Sequence, residues 1–115
     1  MARYLISFDD GAMTFPGEEL PDVSAAAHAV VREAMDAGVW VFGGGLFPPE
    51  SVDVVGTDGK VAAGAFRDGK AYVGGFSVVE VPSRAEALEW AARIASACRC
   101  AQEVREFLPD PAVGN

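Results

Sequence analysis

His28 is the single histidine in this 115-residue chain and the one side chain whose ordinary pKa falls near neutrality, so it is the first candidate for a general acid or base. A second candidate region runs from Phe66 to Gly75. Gly64, Gly69, Gly74 and Gly75 allow backbone to approach a ligand closely, and Arg67, Asp68 and Lys70 bring charge to the same stretch. Asp68 joins His28 as a candidate proton acceptor. Phe66, Arg67, Lys70, Gly74 and Gly75 are candidate ligand contacts, with Arg67 or Lys70 holding developing negative charge. The plain alternatives are a surface or seam histidine, and a hairpin turn that needs glycine for positive φ.

Other residues carry less. The Gly43-Gly44-Gly45 run lacks the Gly-Lys-Ser/Thr ending of a phosphate loop, and no helix opens after it, so it reads as a strand that ends or bulges there. Cys98 and Cys100 form a C-x-C, but two thiolates and one histidine do not complete a metal site, and both read as reduced structural thiols. No metal and no cofactor are expected. No serine sits in an elbow motif, and no dinucleotide fingerprint is present. Trp90 reads as a seam or partner contact, and Tyr4 and Trp40 as core or pocket wall.

Strand and helix signals alternate along the chain. Tyr4, Ile6 and Phe8 alternate in a first strand over 3–8. Pro21 and Asp22 open a helix to about Ala37, with Val23, Ala26, Val30, Ala34 and Ala37 as its stripe and Gly38 as its stop. Residues 39–47 read as a strand closed by Pro48-Pro49. Strands over 51–56 and 60–66 flank Asp58-Gly59, a hairpin turn signal; Asp68-Gly69 is a second turn. Residues 71–81 give the strongest strand. Ser83 and Glu86 fit a capping box before a second helix with stripe Ala85, Leu88, Ala91, Ala92 and Ala95. A last strand covers 101–108, the domain runs over 1–109, and 110–115 reads as a disordered tail.

This order predicts an α+β ferredoxin-like βαββαβ sandwich with an extra β-hairpin, both helices on one face of an antiparallel sheet. The other face would carry Phe42 and Phe76. An open apolar face is a liability in a monomer, so a homodimer with packed sheets, a dimeric α/β barrel, is expected. Half of the residues are hydrophobic and 23% charged, as in a globular domain. The net charge of −8 and the scattered basic residues argue against nucleic acid and anionic membrane as partners. No apolar run reaches the roughly 18 residues of a membrane span, and the expected location is the cytoplasm.

The stretch Ala63-Gly64-Ala65-Phe66-Arg67-Asp68-Gly69-Lys70-Ala71-Tyr72-Val73-Gly74-Gly75-Phe76 resembles the signature of the YCII-related family in its DGPF subgroup. There an Asp-Gly-Pro-Phe run precedes an acidic residue, a Lys-Glu and a Gly-Gly-aromatic. Gly64, Phe66, Lys70, Gly74 and Gly75 match. Ala63, Ala65, Ala71 and Glu106 depart from the pattern. The resemblance continues through Ala37-Gly38, Gly44-Gly45-Leu46, Ala85 to Ala91 and Glu103-Val104-Arg105. It implies the dimeric α/β-barrel superfamily and a pocket between sheet and helices near the dimer seam. It also implies kinship with small cofactor-free isomerases, lyases and oxygenases. A His–Asp pair is proposed as catalytic in the shorter branch, which suggests Asp36 as the partner of His28; eight residues along one helix put it about 80° round and ~12 Å along the axis, too far for a direct hydrogen bond, and Asp53 or Asp68, from strand or loop, would be easier partners. DGPF genes often neighbour those of extracytoplasmic-function sigma factors.

Three functions are compatible with these residues. The first is a cofactor-free enzyme performing acid-base chemistry on a small aromatic or enolisable compound. The second is a ligand-sensing or protein-binding regulatory module; its possible partner, a sigma factor, comes from the resemblance alone. The third is a paralogue without a ligand.

Overall fold

The computed structural model describes residues 1–64 and 69–115. Strand β1 (Ala2–Asp9) leads through a loop and a 3₁₀ turn (Gly17–Glu19) into helix α1 (Leu20–Asp36). Strand β2 (Trp40–Gly45) follows, then a hairpin of β3 (Asp53–Val55) and β4 (Val61–Ala63), then β5 (Val73–Val81), helix α2 (Arg84–Cys98) and β6 (Glu103–Glu106). The main sheet has the order β2-β5-β1-β6, antiparallel at each pairing, and β3-β4 forms a separate two-stranded sheet. β1 is therefore parallel to β2, and β5 to β6, each pair joined across one intervening strand by a helix. These two interleaved crossovers make the ferredoxin-like fold, with β3-β4 as its added hairpin.

The ends of the elements follow local chemistry. Pro21 sits in the first turn of α1, where its missing N–H is not needed. Gly38, at φ +74°, closes α1 with its N–H on the Met35 carbonyl. Ser83 caps α2 by accepting from the Glu86 N–H at 3.3 Å. Gly59, at φ +82°, turns the β3-β4 hairpin.

The core lies at one end of the sheet. Tyr4 and Ile6 of β1, Val79 and Val81 of β5, and Ala87, Ala91 and Ile94 of α2 form a single buried cluster. Ile6, Val79 and Val81 are essentially fully buried, and burial of each such side chain contributes about 1.5–3 kcal/mol. Helix α1 adds Val23 and Ala34 as its buried residues. An exposed Arg93–Glu33 ion pair of 3.0 Å ties α2 to α1.

Three expectations need correction. The inward stripe of α2 is Ala87, Ala91 and Ile94, while Leu88 is 45% exposed. Alanine at most positions of this helix leaves its periodicity ambiguous by one residue. On α1, Ala26 and Ala37 are exposed. β2 ends at Gly45, within the glycine run as expected, and its register shift lies upstream, between Trp40 and Phe42. The last residues form a 3₁₀ turn (Pro111–Val113), with the Asp110 carboxylate accepting from the Ala112 N–H at 3.1 Å.

The bulge has a clear effect on side-chain direction. Trp40 pairs with Val79 on the helix side, but Phe42 pairs with Val78 on the outer side. Without the extra residue Phe42 would share the face of Trp40. Gly43 thus lies beside Trp40, and a Cβ there would meet the Phe76 carbonyl oxygen at 2.5 Å, the Trp40 ring at 2.8 Å and the Ser77 Cα at 2.9 Å. A Cβ on Gly44 would meet nothing within 4 Å. Gly43→Ala should therefore lose about 1–3 kcal/mol by overpacking, and Gly44→Ala should stay within about 0.5 kcal/mol of the parent, both read by denaturant unfolding. Equal losses at the two positions would contradict this packing.

Candidate functional site

A cavity of about 480 Å³ opens between α1 and the helix side of the sheet, beside Ile94 of the core. That volume suits a small organic molecule. Its floor is built from rings lying on glycine. Phe8 of β1 lies against Gly75, where a Cβ would be 2.6 Å from the ring, and Trp40 lies against Gly43. Met13 and Phe15, from the loop after β1, close one side. Val23, Ala27 and Val31 line the α1 side, and Ile94 and Cys98 the α2 side.

The loop that carries Phe15 is clasped from below. Arg99, just past α2, pairs with Glu19 and places its guanidinium 6.0 Å from the centre of the Phe15 ring. Arg99 holds a left-handed conformation, φ 59°, the one non-glycine residue to do so among those described. Such a conformation costs on the order of 1 kcal/mol, and it caps α2, with the Arg99 and Cys100 N–H groups both on the Ala95 carbonyl.

Polar side chains in the lining are few. Ser24 and His28 come from α1, Ser77 from β5, and Cys98 and Gln102 from the end of α2 and the residues before β6. His28 borders the cavity and is also exposed to solvent. Among the described residues no carboxylate stands within ion-pair distance of it, Asp36 and Asp53 included. No lysine, arginine, aspartate or glutamate of the described residues lines the cavity.

The other sequence candidates are distributed differently. Phe66, Arg67 and Asp68 lie outside the described residues. Lys70 is exposed, with its ammonium 4.8 Å from the centre of the Tyr72 ring, and does not border the cavity. Gly74 and Gly75 are not in the lining either; they give room to the Asp10 backbone and to the Phe8 ring. Sequence reasoning passed over Phe8, Phe15, Cys98 and Gln102 as cavity residues. The alternation of Tyr4, Ile6 and Phe8 on one strand face was the signal for Phe8. Phe15 and Gln102 sit in connections and leave no periodic trace. Among the described residues no cluster of three or more histidine, cysteine, aspartate or glutamate side chains could hold a metal ion.

Both cysteines are free thiols. Burial pushes the Cys98 thiol up from its ordinary value of 9.0, and the neighbouring Cys100 adds to the effect. Burial also raises Cys100, against a contact from Gln102 that lowers it. Because the folded chain holds the Cys98 proton longer than the unfolded chain does, this contribution to stability is complete below the ordinary thiol value. It is lost as pH rises through the raised one. Unfolding free energy should therefore decline above about pH 9, less steeply in Cys98→Ala. At pH 7.5 alkylation of Cys98 should be several-fold slower than that of a small free thiol. Equal alkylation rates would contradict the burial of this group.

No curated protein matches the chain by sequence. Among solved structures, the chain is similar to 5-chloro-2-hydroxyhydroquinone dehydrochlorinase from Burkholderia phenoliruptrix AC1100 in complex with 2,5-dihydroxybenzoquinone. The match has a TM-score of 0.53 at 16% identity and covers 97% of this chain and 98% of that one. At that identity the likeness shows the fold alone. The model of the YCII-related domain matches residues 2–109, nearly the whole length, and the chain belongs to the YCII-related domain family.

Proposed function

We propose that this protein is a cofactor-free enzyme that binds a planar small molecule in the α1–sheet cavity and moves a proton with His28. The observation that carries this reading is the cavity itself: aromatic walls, few polar groups, and one imidazole open to water. Aromatic walls favour a flat ligand by stacking and area burial. An imidazole at the mouth can take a proton from the ligand and pass it to solvent. The structural relative, a dehydrochlorinase with a bound dihydroxybenzoquinone, supports the fold's capacity for such chemistry. Loss of HCl from a ring compound needs a proton acceptor, and no metal or redox cofactor enters that balance. A ligand-sensing module would use the same cavity without turnover, so the two readings separate at His28.

The test uses two ring compounds, one without a leaving group and one carrying chlorine. With hydroquinone, the melting temperature should rise by mass action. Ala27→Trp, which fills the cavity, should abolish the rise. With 5-chloro-2-hydroxyhydroquinone, chloride release should fall about 10²–10⁴-fold in His28→Asn while the dissociation constant changes by only a few-fold. A thermal response that survives Ala27→Trp would remove the cavity from the reading. Binding without any release above the uncatalysed rate would favour the sensing module.

The same reading includes a homodimer built on the uncovered sheet face. Leu5, Val78 and Phe76 share that face with Phe42, which is 65% exposed and whose ring centre lies 6.0 Å from that of Phe76. Arg3 and Glu80, paired at 2.8 Å, sit at one end of the face. A second copy would bury these side chains and satisfy a surface that water does not. Sedimentation at micromolar concentration should give a particle of twice the 12.0 kDa chain mass. Phe42→Asp should weaken the dimer about a hundredfold or more. A 12.0 kDa particle for the parent protein would remove the dimer.

A further inference from the structure

We infer that Gln102 selects the ligand: its carboxamide oxygen accepts a hydrogen bond from a hydroxyl on an uncharged aromatic or quinoid ring bound in the cavity. The inference rests on the small-molecule reading above and adds to it both a specificity residue and a charge class.

Gln102 is half-buried in the short connection between α2 and β6, and it borders the cavity. Its Nε2 donates to the Cys100 carbonyl oxygen at 3.4 Å and lies 3.5 Å from the Cys100 Sγ. These contacts are long, but they fix the orientation of the amide. A carbonyl oxygen can only accept, so the NH₂ end must turn toward Cys100; the reverse orientation would set oxygen against oxygen. The atom left over is Oε1, an acceptor, and it receives no hydrogen bond from the described residues. It is also not sealed from contact, because among the described residues the buried side-chain atom without a partner is the Tyr72 hydroxyl oxygen and not this one. Because Gln102 borders the cavity, an acceptor left without a partner on it calls for a donor on the ligand.

The donor class follows from the rest of the lining. Phe8, Phe15 and Trp40 line the cavity, and aromatic walls favour a flat ligand. No lysine or arginine of the described residues lines the cavity, so a carboxylate or phosphate would lose its hydration without a counter-charge. The chain's net charge of −8 opposes an anion further. A neutral ring hydroxyl meets all three conditions. Its hydrogen reaches Oε1 of Gln102, and the opposite edge of the ring is left toward α1, where His28 stands.

Three commercial probes separate the parts of this inference. Hydroquinone carries two hydroxyl donors, 1,4-dimethoxybenzene has the same ring without donors, and 4-hydroxybenzoate replaces one hydroxyl by a carboxylate. Binding is read by tryptophan fluorescence, with Trp40 in the cavity wall as reporter, and by the shift in melting temperature. The parent protein should bind hydroquinone about tenfold tighter than 1,4-dimethoxybenzene, and 4-hydroxybenzoate at least about tenfold more weakly than hydroquinone. In Gln102→Met, of similar length and without an acceptor oxygen, the hydroquinone preference should collapse to near unity while 1,4-dimethoxybenzene binds as before. A preference that persists in Gln102→Met overturns the role of Gln102 and leaves the cavity reading intact. Equal loss for both probes marks Gln102 as structural and likewise overturns it. Tighter binding of 4-hydroxybenzoate overturns the charge class. If no probe changes the fluorescence or melting temperature of the parent protein, the small-molecule reading falls and this inference with it.

Discussion

Two aromatic rings laid on glycine backbone decide how much space lies under helix α1. Trp40 covers Gly43 and Phe8 covers Gly75, at separations that leave no room for a Cβ. A side chain at either glycine would lift the ring above it, and the ring could rise only into the cavity. The space of about 480 Å³ therefore exists because the sheet is thinnest there. The bulge between Trp40 and Phe42 belongs to the same device. It turns Phe42 to the outer face and leaves the inner face to one large ring and a row of small residues. One inserted residue thus shapes both surfaces of the sheet: a hollow on the helix side and an apolar patch on the other.

The division of labour between the helices follows. Helix α2 packs its small residues directly on β1 and β5, so alanine at 87 and 91 brings the helix close and closes the core. Helix α1 cannot sit as close over Phe8 and Trp40, and the gap is the cavity. The Phe15 loop seals one side of this gap, and the Arg99–Glu19 pair pins the loop to the end of α2. Exposed ion pairs contribute little stability, about 0–1 kcal/mol. The value of this one lies in position, since it couples the cavity wall to the better-packed helix.

How much of this could be read from the residues alone depends on whether a local rule was at work. The order of elements, the Gly38 stop, the Ser83 cap and the Asp58-Gly59 turn each answer to chemistry within a few residues, and they stand where the sequence puts them. The ferredoxin-like topology follows from that order. The inward stripe of α2 could not be placed because alanine fits either face of a helix, so neighbours in space decide. The glycine run marked the end of β2 at Gly45, but not the bulge, which lies upstream between Trp40 and Phe42. For the site, a lone histidine was easy to single out. The polar groups that accompany it come from a strand, a helix end and a connection, and no spacing along the chain links Ser77, Cys98 and Gln102.

The groups on the cavity wall also restrict the chemistry on the proposed reading. Burial keeps the Cys98 thiol protonated at neutral pH, so it is a poor nucleophile there. Ser24 and Ser77 bear no adjacent base: among the described residues, neither appears in a hydrogen bond with His28. A covalent intermediate would need one of these groups activated. What remains among the described residues is an imidazole with water on one side and the ligand on the other. A base so placed can return its proton to another position of the ligand, giving an isomer, or release it to solvent as a leaving group departs, giving an elimination. Both leave the enzyme unchanged and need no oxidant, reductant or second substrate. On this reading, a ring that carries an ionisable hydroxyl lowers the barrier for a base working without help.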